Sequence, residues 1–178
     1  MNSIRILIGV VAAAAVIGIS TFLYLTRDIA APSATVATTI ETVAASADTD
    51  SLTVFTLVQA ESQAEYNIYE LLEGADKTVV GTTDQVAGQI ALNLSDLSQA
   101  QVGEIRINAR TFATDSDRRD NAVARFVLQS ESDANEFIIF QPTSITGLPE
   151  AASVGDTLTF QINGDLTIAG VTQTAKFD

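Results

Sequence analysis

Residues 156–178 read DTLTFQINGDLTIAGVTQTAKFD, and within them apolar and polar side chains alternate. Leu158, Phe160, Ile162, Gly164, Leu166 and Ile168 fall on one side of a period of two, against Thr159, Gln161, Asn163, Asp165 and Thr167 on the other. A helix would scatter these residues round its whole circumference. A strand sends them to opposite faces, one packed and one wet. The run is long enough to demand a partner strand and a covering layer, so it commits the chain to a β fold. The end at Asp178 falls inside a second strand-like stretch.

The same rhythm recurs upstream. Residues 54–57 form a short β-rich run, and 64–72 carry Tyr66, Ile68 and Tyr69. Between 86 and 94, Val86, Gly88, Ile90, Leu92 and Leu94 alternate against Ala87, Gln89, Ala91 and Asn93. Ile105, Ile107, Ala109 and Thr111 alternate against Glu104, Arg106, Asn108 and Arg110, and 138–140 is a further apolar run closed by Pro142 and the Gly147/Pro149 pair. Short, regular strands with polar turns predict an all-β sandwich or barrel. One segment departs from it. Asp115 or Asp117 can cap a helix over 118–127, with Ala122, Phe126 and Val123 on one face and Arg118, Arg119 and Arg125 in water. Arg119 and Asp120 are placed to form an ion pair holding that helix to the sheet.

The amino terminus has a different character. Residues 4–25 are 22 positions interrupted only by Arg5, Ser20 and Thr21, and about 20 apolar residues cross a bilayer core. A cleaved secretory signal has a shorter apolar core of about 7–15 residues. The run is therefore read as a single-pass anchor over 1–27, although Ala30–Ala31 would suit cleavage. Residues 28–51 are rich in Ala, Ser and Thr with no aromatic residue, a composition expected of a flexible linker reaching roughly 25–30 Å. Residues 52–178 form one domain. Beyond Arg27 lie 7 of the 9 Lys/Arg residues and all 22 Asp/Glu, a net of −15. Such a surface repels nucleic acid and anionic lipid headgroups and keeps a domain soluble. Arg5 before the span and Arg27 after it set little orientation by charge, and the short amino-terminal stub is what points to an extracytoplasmic, periplasmic or extracellular placement.

Chemistry is tightly bounded. With no His and no Cys, zinc hydrolysis, His-ligated haem and Ser–His or Cys–His nucleophiles are excluded, and no disulfide framework exists. Asp115, Asp117 and Asp120 cluster, but calcium-loop spacing would need a Gly near 119–120 and a Glu near 126. Glu61, Glu65, Glu70 and Glu73 offer no carboxylate pair in an apolar cleft of the kind glycoside hydrolysis uses. No metal site, no cofactor site and no enzyme activity are expected.

Three motifs carry a resemblance. RRDNAVARFVLQS at 118–130, EFIIFQPTSI at 136–145 and GDLTIAGVTQTAKF at 164–177 resemble the YceI-like family, and VAGQIALNLSDL at 86–97 and SQAEYNIYELL at 62–72 are similar to two of its strands. The resemblance covers about 52–178. It implies an antiparallel, lipocalin-like barrel holding a long apolar molecule, a polyisoprenoid or a quinone tail. The family pattern continues past the GVT hairpin with further strands that close the barrel. On that pattern this chain is truncated, with a barrel left incomplete or completed by a partner strand or a second copy.

The expected pocket is lined by Ile107, Ala109, Phe126, Ile138, Phe140, Phe160, Ile162 and Leu166, with Gly164 leaving room among them. The same side chains would serve equally as a dry, filled core. The function expected is a membrane-tethered, extracytoplasmic lipid carrier. The alternative is a structural or interaction β-domain with no small-molecule ligand, pairing through an open sheet edge.

Overall fold

The computed structural model describes residues 20–21, 27–40, 52–72 and 74–178. Among the described residues ten strands form three antiparallel sheets. The largest runs β10-β9-β8-β7-β4, a second runs β1-β5-β6, and β2-β3 is a two-stranded hairpin. The ranges are β1 Thr53–Thr56, β2 Ala64–Leu72, β3 Ala75–Thr83, β4 Val86–Ala87 and β5 Gln89–Leu92. They continue with β6 Gln101–Val102, β7 Ile105–Asn108, β8 Phe137–Thr146, β9 Gln161–Ile168 and β10 Val171–Phe177. The expectation of an all-β antiparallel architecture holds, but none of the three sheets closes into a barrel.

The physical reason lies partly at Gly88. The alternating run expected as one strand is split there: β4 pairs with β7, whereas β5 pairs with β1 and β6. A chain that changes sheets this way makes a corner. A Cβ at Gly88 would sit 3.1 Å from Ile105 Cγ1 and 3.1 Å from Leu57 Cδ1, so the corner is tight and lies against both sheets. Two tight turns complete the hairpins. Ile168 faces Val171 across Ala169–Gly170, whose φ values of 49° and 74° are both left-handed, the backbone that a twisted two-residue hairpin requires.

Core side chains come from the ends of β7 and β8 and from the helix. Ala109, Phe112, Val123, Leu128 and Ile138 form the buried cluster, with Tyr66, Ile68, Ile107 and Leu166 packed against it. Glycines here admit aromatic rings instead of leaving space. On β2, Tyr66 faces Gly81 of β3, and a Cβ at Gly81 would lie 2.2 Å from Tyr66 Cζ. Likewise, a Cβ at Gly164 would lie 2.7 Å from the Phe140 ring and 2.4 Å from the Gln141 carbonyl oxygen.

The helical segment differs from its expected form. Helix α1 is Asp117–Ala122 with Ser116 at its N-cap, and it widens into a π-helical turn over Val123–Val127. Leu128 N donates to Val123 O at 2.8 Å, five residues back. Neither Asp115 nor Asp117 caps it: Asp117 is the first residue of the helix, and Asp115 accepts from Lys77 at 3.1 Å and from Arg119. Arg119 pairs with Glu70 at 3.1 Å rather than with Asp120. Each residue advances a helix by roughly 100°, and burial falls on Val123, Ala124 and Arg125. Phe126 is consequently turned out, 60% exposed, and the expected wet Arg125 is buried.

Two further differences concern boundaries. Strand β7 stops at Asn108, and 109–111 turn as a 3-10 helix instead of continuing the strand. Strand β3 was not anticipated, because Gly81 and the charged pair Asp76–Lys77 break its pattern. The expected membrane span, 4–25, lies outside the described residues apart from 20–21; among the described residues no helix is long and apolar enough to cross a membrane. Of the expected linker 28–51, residues 28–40 are described, and there Val36 lies fully buried in a short 3-10 turn beside β4 and β7.

Because Gly164 lies under the Phe140 ring and beside a backbone carbonyl that cannot yield, Gly164→Ala is expected to lower stability by about 1–3 kcal/mol. Urea denaturation midpoints of the two proteins, at equal m-values, measure it.

Candidate functional site

Two features stand out beyond the packed core: an apolar hollow between the sheets and a buried polar hub at the other end of β8. The hollow, about 230 Å³, is lined by Phe55, Thr56 and Leu57 around β1, Gln89 and Ile90 of β5, Val102 of β6, Ile105 of β7, and Phe160 and Ile162 at the entry to β9. Only Thr56 and Gln89 bring polar side chains. A neighbouring hollow of about 400 Å³ shares Phe160 and Ile162 and adds Leu158, Thr159, Phe177 and Asp178. Single small-molecule sites usually span about 300–1,000 Å³, so the first is small for one and the pair together is adequate.

The sequence dictates this geometry through alternation and register. Ile162 pairs with Ile145 near the far end of β8, whereas Ile138 at its start pairs with Ile107. The eight expected pocket residues therefore divide. Phe160 and Ile162 line the hollow. Ala109 and Ile138 sit in the filled cluster, with Ile107 and Leu166 packed on it. Phe140 is buried, its ring edge-on to Phe177 at 4.9 Å. Phe126 is on the surface. The filled-core reading thus describes the helix end of the sheet, and the open reading describes the other end.

Phe55, Leu57, Ile90, Val102 and Ile105 complete the hollow and were not singled out from sequence. All but Val102 lie in or beside alternating runs that were read as strands. The signal missed was the change of sheets at Gly88, which brings β1 and β5 opposite β9. Val102 belongs to a two-residue strand and leaves no periodicity to read.

The hub was missed as well, because alternation assigned Asn108 and Arg110 to a wet face. Both are buried, as is Glu136. Arg110 uses all five guanidinium N–H groups. Nε donates to Ser130 O at 2.6 Å; Nη1 donates to Glu136 Oε2 at 3.0 Å and Ala31 O at 3.1 Å; Nη2 donates to Asp133 Oδ1 at 2.7 Å and Glu131 O at 3.2 Å. Glu136 also accepts from Ser33 N at 2.7 Å, Ser33 Oγ at 2.5 Å and Asn108 Nδ2 at 3.0 Å. Burial alone would push the Glu136 carboxyl up. The Ser33 and Asn108 hydrogen bonds and the Arg110 charge outweigh it and hold the carboxyl below its ordinary 4.5.

This arrangement can do two things. The hub fixes structure, since the buried Arg110 guanidinium and the buried Glu136 carboxylate find their partners within the protein. The hollow can accept an apolar group and offers no acid, base or nucleophile to act on it. Among the described residues no cluster of ligating side chains could hold a metal. A sequence model of the YceI-like domain matches residues 55–178, and no curated protein matches the chain.

Removing one member of a buried pair leaves an uncompensated charge and costs about 3–5 kcal/mol. Arg110→Met is expected to lose that much in urea denaturation, far more than an exposed pair such as Lys77–Asp115, whose loss stays within about 1 kcal/mol. The pH dependence has a definite sign. A depressed carboxyl stabilises fully above its unfolded value and loses that contribution as pH falls through the folded one. Stability should therefore decline below about pH 4.5, and the decline should be shallower in Glu136→Gln, read by thermal unfolding across the acid range.

Proposed function

The chain belongs to the YceI-like family, and from that premise we propose that it binds a long apolar molecule, a polyisoprenoid or quinone tail, in the hollow between its sheets. YceI-like domains are binding domains for ligands of this class. The observation that carries the reading is the lining: seven of nine side chains around the hollow are apolar.

Magnitudes select a long ligand over a short one. A group the size of a methylene or a water takes on the order of 30 Å³, so the first hollow accepts roughly seven. At about 0.8 kcal/mol per methylene that is about 6 kcal/mol, near the low end of the roughly 4–15 kcal/mol that association costs. A tail that continues into the neighbouring hollow past Phe160 and Ile162 gains the surplus. The first 25 residues, apolar apart from a few positions, supply a single-pass anchor in this proposal, holding the domain at an extracytoplasmic face. Retention of a tail needs no cofactor and no catalysis.

A second reading rests on β10. It lies at the edge of the five-stranded sheet, with Val171 and Phe177 exposed, and an edge with unpaired backbone groups can add a strand from a partner or a second copy. In that case the hollow stays empty.

The test is native mass spectrometry of the full chain, followed by organic extraction and titration with prenyl alcohols of increasing length. Affinity is expected to rise with chain length until both hollows are filled. Ile162→Trp, which places an indole where the hollows join, should displace about three methylenes and weaken binding roughly 50-fold. An empty protein that binds no prenyl chain, above all one that is oligomeric, would overturn the proposal in favour of the edge reading.

A further inference from the structure

The outward face of the helix carries an arrangement that the hollow does not use. Arg118, Asn121, Ala122, Arg125 and Phe126 fall at i, i+3, i+4, i+7 and i+8, one stripe lining a shallow hollow of about 200 Å³. Phe126 is 60% exposed and its neighbour Val127 is 55% exposed. In a chain of net charge −13 the residues lining this hollow include exposed Arg118 and buried Arg125 and no acid. Of the acids nearby, Asp120 accepts from Thr114, Asp115 pairs with Lys77 and Arg119, Glu131 pairs with Arg125, and Asp117 is exposed beside Arg118.

The chain itself arrives at this face. The buried Arg125 guanidinium donates to the Arg27 carbonyl, while its Nε pairs with Glu131 at 3.0 Å. Leu25, the last residue of the 22-residue apolar run, is two positions before Arg27. Two residues reach at most about 7 Å. On the anchor reading, covalent reach from Arg27 keeps the stripe near the point where the run leaves a membrane.

We infer that this stripe rests on the bilayer surface, with Phe126 and Val127 entering the headgroup region and Arg118 meeting lipid phosphate. Apolar side chains of such a helix enter about 5–10 Å, and a basic residue near anionic lipid adds about 1 kcal/mol. The inference rests on the anchor reading above. Its consequence is a domain of fixed orientation, because the Arg110 and Arg125 contacts to residues 27–33 remove the slack a tether would give. Hollow-lining Ile105 faces Phe140, four residues along β8 from Glu136, and hollow-lining Ile162 faces Ile145, nine residues along it, so at about 3.3 Å per residue the hollow extends from roughly 13 to roughly 30 Å from this attachment.

The chain has no cysteine, which makes single-site labelling clean. Full-length Phe126→Cys, Val127→Cys and the control Val154→Cys, at a position 93% exposed, would carry an environment-sensitive fluorophore. Each is reconstituted into phosphatidylcholine vesicles containing phosphatidylglycerol and nitroxide-labelled lipid. The expected result is a blue-shifted emission quenched by the lipid nitroxide at 126 and 127, with neither change at 154. Vesicle flotation separates the two readings. Protein that floats with wet labels at 126 and 127 overturns the seating alone; protein that does not float overturns the anchor and the seating with it. Labels that are dry before vesicles are added show the stripe covered by protein, which also overturns the inference.

Discussion

The Arg110 guanidinium is the contact on which this architecture turns. It sits where β7 ends, the helix has just returned and β8 is about to begin, and a single planar group with five donors ties those places together. Its pairing with Glu136 is costly to bury and rewarding only because both partners are fully engaged. That makes it a specificity device. A slip of one residue in β8 would take Glu136 from the hub and turn Ile138 and Phe140 outward. Through Ser33 and Ala31 the same hub also captures a stretch of chain that its own composition would leave loose.

With that end of the sheet closed, the two ends of β8 have different fates. Near Glu136 the inward side chains meet the helix, and Ala109, Phe112, Val123, Leu128 and Ile138 fill the space. Toward Thr146 the layer facing the hollow is the short β1-β5-β6 sheet. Apolar side chains there line a hollow. One strand pattern therefore yields a packed core and an accessible apolar surface, separated by Phe140 and its neighbours Gly164 and Phe177.

Legibility followed physical range. Strands β1, β2 and β9 were readable because strand-forming composition and alternation are properties of neighbouring residues, and the hairpin after β9 was legible through the family resemblance. The helix was readable as an element but not in phase, since a π turn over Val123–Val127 places Val123, Ala124 and Arg125 inside and leaves Phe126 outside. Of the candidate site, Phe160 and Ile162 were found by their face, while Phe55, Leu57, Ile90, Val102 and Ile105 were not. No local pattern says that β5 leaves the strand continuous with it and joins another sheet.

What the amino-acid sequence determined alone is the β character of 52–178, the family, the acidic surface and the absence of histidine and cysteine. Each follows from residue type and short spacing. What only the tertiary structure decided is which apolar residues face a hollow and which are simply buried, and that Arg110, Glu136 and Arg125 lie inside. Those outcomes depend on which distant segments meet: burial is a property of the neighbours a side chain acquires, and alternation names a face without saying what covers it.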